Sequence, residues 1–155
     1  MSAGSAGYSG TPLARKLGIK PGHRVATLGA PRHFPALLED LPEGVRLEAE
    51  PAVPPSFEAP GARAFDVVVV FVRDEARLLE GLARARRLLA WDGGLWVAWP
   101  KGTSPLATSL REGDVRREAL AEGLVDNKVC AIDADWSGLR LVYRKGDRPP
   151  SSNKA

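Results

Sequence analysis

One cysteine and two histidines are all that 155 residues offer toward disulfides or thiolate and imidazole metal sites. A lone Cys130 excludes an internal disulfide and leaves a thiolate cage without ligands. His23 and His33 lack the H-x-x-x-H spacing of a helical zinc site, so no metal is expected. Cys130 lies in the apolar run KVCAI, where a small buried side chain is expected over a reactive thiol. No apolar run reaches the ~18–20 residues of a membrane-spanning helix. The opening MSAGSAGYSG has neither the basic head nor the apolar stretch of a secretory leader, so a cytoplasmic protein with no membrane partner is expected. Charge of one sign is also scarce. A net charge of +3 permits an anionic partner without requiring one. No internal repeat is visible.

What is present is an ordinary globular composition, 44% hydrophobic and 26% charged, in a chain long enough to bury roughly 70% of its unfolded surface. Residues 1–11 are small and polar and are expected to be flexible; 12–146 form the domain, and 147–155 a disordered tail. PLARKLG opens with Pro12 and stops at Gly18, which predicts a short helix with Leu13 and Leu17 on one side. Pro21-Gly22 turns the chain into the strand RVATLG (24–29). FPALLEDL (34–41) predicts a helix, and VRLEAE (45–50) a strand. Residues 51–64 hold four prolines, too many for a central strand. DVVVVFV (66–72) is a continuous β-branched run, the mark of a strand buried on both faces of a parallel sheet. Leu78, Leu82, Ala85 and Leu89 fall at helical spacing within 75–90. Asp92-Gly93-Gly94 is expected to turn into the strand LWVAWP (95–100). A helix over 111–122 places Val115, Ala119 and Leu120 inward, with Gly123 ending it. KVCAID (128–133) and LRLVYRK (139–145) read as a hairpin.

This alternation defines an α/β, Rossmann-like, doubly wound and mostly parallel six-stranded sheet with an antiparallel C-terminal hairpin. The expected order is 45–50, 24–29, 66–72, 95–100, 139–145, 128–133, with only 139–145 antiparallel. LGIKPGHRVATLGA resembles the segment leading into the first motif of class I S-adenosylmethionine-dependent methyltransferases. FDVVVVFV with ARRLLAWDGGLWVAWP is similar to their fourth and fifth strands. YSGTPLARKLGIKPG, WVAWPKG and DWSGLRLV resemble more particularly a family of small bacterial proteins of unknown function, a likeness that brings no activity with it.

The methyltransferase resemblance implies a first loop of the form acidic-x-Gly-x-Gly-x-Gly. Thr27, Gly29, Pro31 and His33 stand at those positions, so only the first glycine is kept. Proline fixes φ and has no N–H, and an imidazole fills space where a cofactor would pass bare backbone. Glu50, at the end of the second strand, is the counterpart of the acid that holds ribose hydroxyls; the ordinary reading of such a glutamate is a solvated side chain. Gly29 and Glu50 are thus the candidate cofactor residues, yet no cofactor is expected. The loop after DVVVVFV, Arg73-Asp74, carries no catalytic motif.

In open α/β sheets, ligands lie outside the carboxyl ends of the strands. That rim receives Arg32, His33, Arg73, Lys101 and Thr103, a donor set suited to a phosphate or carboxylate. Solvated loop cations are the simpler reading of the same residues. His33 lacks a sequence-adjacent nucleophile or acid and is no evidence of catalysis alone. Trp96 and Trp99 lie at odd spacing on one strand and face opposite sides, so both are expected in the core, and Trp136 at the hairpin to cover a sheet edge or a neighbour. Arg77, Arg84, Arg86 and Arg87 read as a solvated helix surface over a nucleic-acid face. The sequence therefore favours a non-catalytic module that binds a small anionic ligand or a partner protein. A divergent methyltransferase and a weak nucleic-acid binder are the alternatives.

Overall fold

The computed structural model describes residues 11–149, and its six-stranded sheet has the expected order. In chain order the elements are α1 (Leu13–Lys16), β1 (Arg24–Leu28), a 3₁₀ turn (Phe34–Leu38), β2 (Arg46–Ala49), β3 (Phe65–Phe71), α2 (Glu75–Leu88), β4 (Leu89–Pro100), α3 (Glu112–Ala121), β5 (Leu124–Ala131) and β6 (Trp136–Tyr143). The sheet runs β2-β1-β3-β4-β6-β5. The pairs β1–β2, β1–β3 and β3–β4 are parallel, while β6 is antiparallel to both β4 and β5.

The sheet lies between two apolar cores. On one face α2 and α3 bring Leu78, Leu82, Ala85, Leu88, Val115 and Ala119 against Val68, Val70, Val97 and Trp99. On the other, Leu17, Phe34, Val67, Val69, Trp96 and Trp136 pack together. Alternation along a strand explains why Trp96 and Trp99 fall into different cores. Trp96 is fully buried, and its indole N–H is satisfied by donating to the Leu17 carbonyl at 2.9 Å. Trp136 packs edge-on against Phe71, which meets Phe34 in the same way; it is a core residue.

Several local expectations give way to tertiary context. FPALLEDL forms only a five-residue 3₁₀ turn, Phe34–Leu38, seated by buried Phe34 and Leu38. Pro35 suits the start of such a turn, but too little apolar stripe follows to extend it. Asp92-Gly93-Gly94 is an irregularity inside β4, whose register against β3 shifts between Phe65↔Leu89 and Val67↔Gly94. Helix α2 ends at Leu88, where the Leu89 N–H still donates to Ala85 but its backbone is already extended. Leu120 is 43% exposed, because Val115 and Ala119 define the inward face of α3. Cys130 is half-buried on edge strand β5, and desolvation raises its thiol pKa.

Residues 51–64 form no helix or strand, and one residue in them pins the segment. Arg63 stacks over Trp91 at 3.6 Å from the ring centroid and also donates to the Tyr143 hydroxyl and the Leu89 carbonyl. Of the terminal expectations, residues 1–10 and 150–155 lie outside the described residues. Asp147 ends a 3₁₀ turn, and the Arg148 side chain donates twice to the Tyr143 carbonyl. Among the described residues no helix is long and apolar enough to cross a membrane.

Candidate functional site

Parallel strands β1, β2 and β3 deliver their carboxyl ends to one rim, where Gly29, Glu50 and Arg73 meet. Gly29 leaves β1 with φ +68°, and a Cβ there would lie 2.9 Å from the Phe71 carbonyl oxygen. Glycine is therefore required for the loop to pass against β3, a structural demand independent of any cofactor. Glu50 continues the pairing of β2, donating its N–H to the Thr27 carbonyl at 2.8 Å. Its φ of 52° then turns the side chain back. The Glu50 carboxylate accepts from the Gly29 N–H at 2.6 Å, and its other oxygen lies 3.7 Å from the Arg84 guanidinium.

The third wall is the start of α2. Asp74 caps it, its carboxylate accepting from the Arg77 N–H at 2.8 Å. Gly81 seats the helix tightly on β3, for a Cβ there would lie 2.9 Å from a Val70 methyl. Between these walls opens a cleft of about 410 Å³, lined by Gly29, Glu50, Arg73, Asp74, Arg77 and Arg84 among others. That volume lies within the ~300–1,000 Å³ of small-molecule sites. Arg77, Gly81 and Arg84 fall at i, i+4 and i+7, so the helix turns both arginines into the cleft. Among the described residues Arg73 and Arg77 form no ion pair.

Of the rim residues named from sequence, Arg32, His33, Lys101 and Thr103 do not line this cleft. His33 Nε2 lies 2.8 Å from Asp133 Oδ2, and the other oxygen of Asp133 accepts from the Asp135 and Trp136 N–H groups. The Arg73 guanidinium lies over the Trp136 ring at 5.8 Å, and the Lys101 N–H donates to the Asp135 carbonyl. His33, Arg73 and Lys101 thus gather around the β5–β6 loop, while Arg32 and Thr103 are exposed on their own loops. An imidazole oriented by a carboxylate has the form of an acid–base pair. Among the described residues, no group of three or more His, Cys, Asp and Glu side chains is placed to hold a metal ion.

Asp133, Arg77 and Arg84 were not among the candidates from sequence. Asp133 stands 100 residues from His33; only the parallel run of β5, which returns its carboxyl end to the rim, brings the two together. The helical spacing of Arg77 and Arg84 was visible, yet it reads equally as a solvated face. Pairing of Arg84 with Glu50 and of Arg86 with Glu122 occupies half of that basic surface.

The parallel order 2-1-3-4 with a terminal antiparallel strand defines the chain as a methyltransferase-like Rossmann domain. Residues 14–145 match the family described as a protein of unknown function (DUF3052), and the chain belongs to that family. No curated protein matches it. Among solved structures it is similar to a SAM-dependent methyltransferase from Aquifex aeolicus, at TM-score 0.58 and 13% identity over 83% of this chain and 86% of that one. A TehB-like SAM-dependent methyltransferase from Corynebacterium glutamicum gives TM-score 0.52 and 15% identity over 90% and 91%. Fibrillarin from Aeropyrum pernix, solved with natively bound S-adenosyl-L-methionine, gives TM-score 0.56 and 16% identity over 88% and 70%. At these identities the likeness is one of fold.

The residues at the rim do not fit S-adenosylmethionine in the pose the fold family implies. The acid that would meet a ribose is bonded to the Gly29 N–H instead. Pro31 and His33 fill the loop, and a five-residue 3₁₀ turn follows it in place of an α-helix. No step is derived through that cofactor.

Proposed function

We propose that this protein is a non-catalytic ligand-binding module that uses the methyltransferase-like rim to hold a small anionic ligand. The observation that carries this reading is that Arg73 and Arg77 both line a cleft of about 410 Å³ and form no ion pair among the described residues. A carboxylate or phosphate between them would gain charge-assisted hydrogen bonds in a partly enclosed site. The non-catalytic part rests on the lining. No hydroxyl, thiol or imidazole side chain contributes to the cleft. Of its three acids, Glu50 and Asp74 are engaged by backbone N–H groups, and Glu80 is the third. Arg32, His33, Lys101 and Thr103 lie along the same rim and would meet a ligand extending beyond the cleft.

The test is thermal stabilisation by sulfate and phosphate at constant ionic strength. Ligand at ten times its Kd stabilises by about 1.4 kcal/mol, or roughly 3–6 °C for a chain of this size. The Arg73→Ala/Arg77→Ala variant should lose most of that shift. Equal stabilisation of both proteins would remove the anion site. A divergent methyltransferase is the second reading, favoured by the position of Glu50 at the end of β2. It requires a low-micromolar S-adenosylmethionine isotherm that Glu50→Ala weakens, and we expect no heat at tens of micromolar.

A further inference from the structure

A second polar cavity, of about 220 Å³, lies at the opposite end of the sheet and is lined by Lys20, His23, Asp66, Gly93, Gly94 and Arg140 together with Gly18, Val67 and Asp92. Nothing in the rim reading uses it. The β4 irregularity builds one wall: residues 90–93 stand opposite Asp66 alone on β3. Gly93 is forced, because its Cβ would lie 2.7 Å from the Asp66 carbonyl oxygen. Gly94 is forced by a side chain, since its Cβ would lie 2.6 Å from two guanidinium nitrogens of Arg140. Gly93 thus gives up a side chain to the close approach of β3, and Gly94 one to let Arg140 lie across the backbone.

Arg140 is half-buried, and among the described residues it forms no ion pair. Its guanidinium donates one long hydrogen bond, 3.4 Å to the Asn127 side-chain oxygen. Burial lowers its pKa, and the neighbouring Arg148 lowers it further. Asp66, also half-buried, accepts the Arg24 N–H at 2.8 Å through one oxygen, leaving the other without a hydrogen-bond partner among the described residues. An acid and a base therefore share one small cavity without bridging to each other. His23 adds a donor, because its Nδ1 accepts the Lys20 N–H and the neutral ring then carries its proton on Nε2.

A purely anionic guest would face Asp66, and a purely cationic one Arg140. We propose that this cavity is a second small-molecule site, built for a small zwitterion of the amino-acid class, with its carboxylate on Arg140 and its ammonium on Asp66. The volume suits that class. It is below the ~300 Å³ at which drug-sized pockets begin and equals about seven waters at ~30 Å³ each.

The experiment titrates the full-length, ¹⁵N-labelled protein with free L-alanine, and separately with acetate and with methylammonium. The backbone amides of Gly93 and Gly94 and the Arg140 Nε–H are followed. Alanine should give saturable shifts there, with an apparent Kd at least tenfold below that of either half-ligand. Asp66→Asn, which keeps an oxygen for the Arg24 N–H, and Arg140→Gln should each weaken it at least tenfold. Arg73→Ala at the rim should leave it unchanged. Equal affinity for alanine and acetate would overturn the proposal, as would non-saturating shifts or loss of binding in Arg73→Ala. Should Arg140→Gln fail to fold, Asp66→Asn and the wild-type shift map decide, and shifts centred on Gly29 and Arg84 would refute it.

Discussion

Replacing Gly29 by alanine should destabilise the protein by about 2–4 kcal/mol, whereas the same change at Gly22 should cost about 1 kcal/mol or less. Both residues sit in the left-handed region, at φ +68° and +78°. For an L residue that conformation costs roughly 1–2 kcal/mol, and the reduced freedom of the unfolded alanine chain returns about 0.4–1. Gly22 meets nothing further, because no atom lies within 4 Å of its added Cβ. At Gly29 the methyl lands 2.9 Å from the Phe71 carbonyl oxygen. That oxygen cannot retreat cheaply, since β3 is fixed by pairing to β1 on one side and to β4 on the other. Overpacking of this kind adds about 1–3 kcal/mol. At roughly 2–4 °C per kcal/mol, calorimetry should show a Tm loss of about 5–12 °C for Gly29→Ala and under about 4 °C for Gly22→Ala. Alanine keeps the N–H that Glu50 accepts, so that hydrogen bond is not the variable. Equal small losses at both sites would refute the argument and return Gly29 to the role of a ligand-loop glycine.

Trp96→Phe leaves the buried Leu17 carbonyl without its donor, and denaturant unfolding should report a loss of about 1–3 kcal/mol. Arg63→Ala removes the stack on Trp91 and two hydrogen bonds, so a Tm loss equivalent to about 1–3 kcal/mol is expected, with Arg63→Lys recovering only part of it. The raised thiol pKa of Cys130 means that the folded state holds its proton more tightly than the unfolded chain. Stability should therefore fall as pH rises above the ordinary thiol value of ~8.5, and Cys130→Ala should flatten that decline. Asp133→Ala frees His33 and two N–H groups of the β5–β6 loop; amide exchange at Asp135 and Trp136 should accelerate, while Asp133→Asn slows the effect by keeping an acceptor.

The sheet was legible because its strands carry their own address. DVVVVFV can be apolar throughout only if both its faces are covered, and covered faces imply parallel neighbours and flanking helices. The 51–64 segment was equally readable, since four prolines cannot join a central ladder. Where the reading failed, the deciding partner was distant. FPALLEDL has the residues of a helix, but Phe34 and Leu38 alone are anchored in the core, and five residues satisfy both. Asp92-Gly93-Gly94 has the residues of a turn. Its geometry answers instead to Asp66 and Arg140, neither of which is adjacent in sequence.

The same distinction separates the two halves of the candidate site. Gly29, Glu50 and Arg73 could be named from sequence because strand ends are predictable once the strand order is known. What those residues do there depends on contacts that no local pattern encodes. Glu50 turns onto the Gly29 N–H only because its own backbone is left-handed, at φ 52°, and because Arg84 comes down from α2 beside it. Pairing the acid to the loop in this way occupies one of the two oxygens a ribose would use, and it occupies the N–H that a bare loop would offer. Both are taken by one hydrogen bond, 2.6 Å long. Glu50→Gln keeps an acceptor for the Gly29 N–H while removing the charge, leaving Arg84 without its ion-pair partner in the cleft. Anion stabilisation should then increase, because Arg84 joins Arg73 and Arg77 as an unpaired cation. A weaker anion response in Glu50→Gln would mean that the carboxylate orients the ligand, and would move the reading back toward a cofactor site.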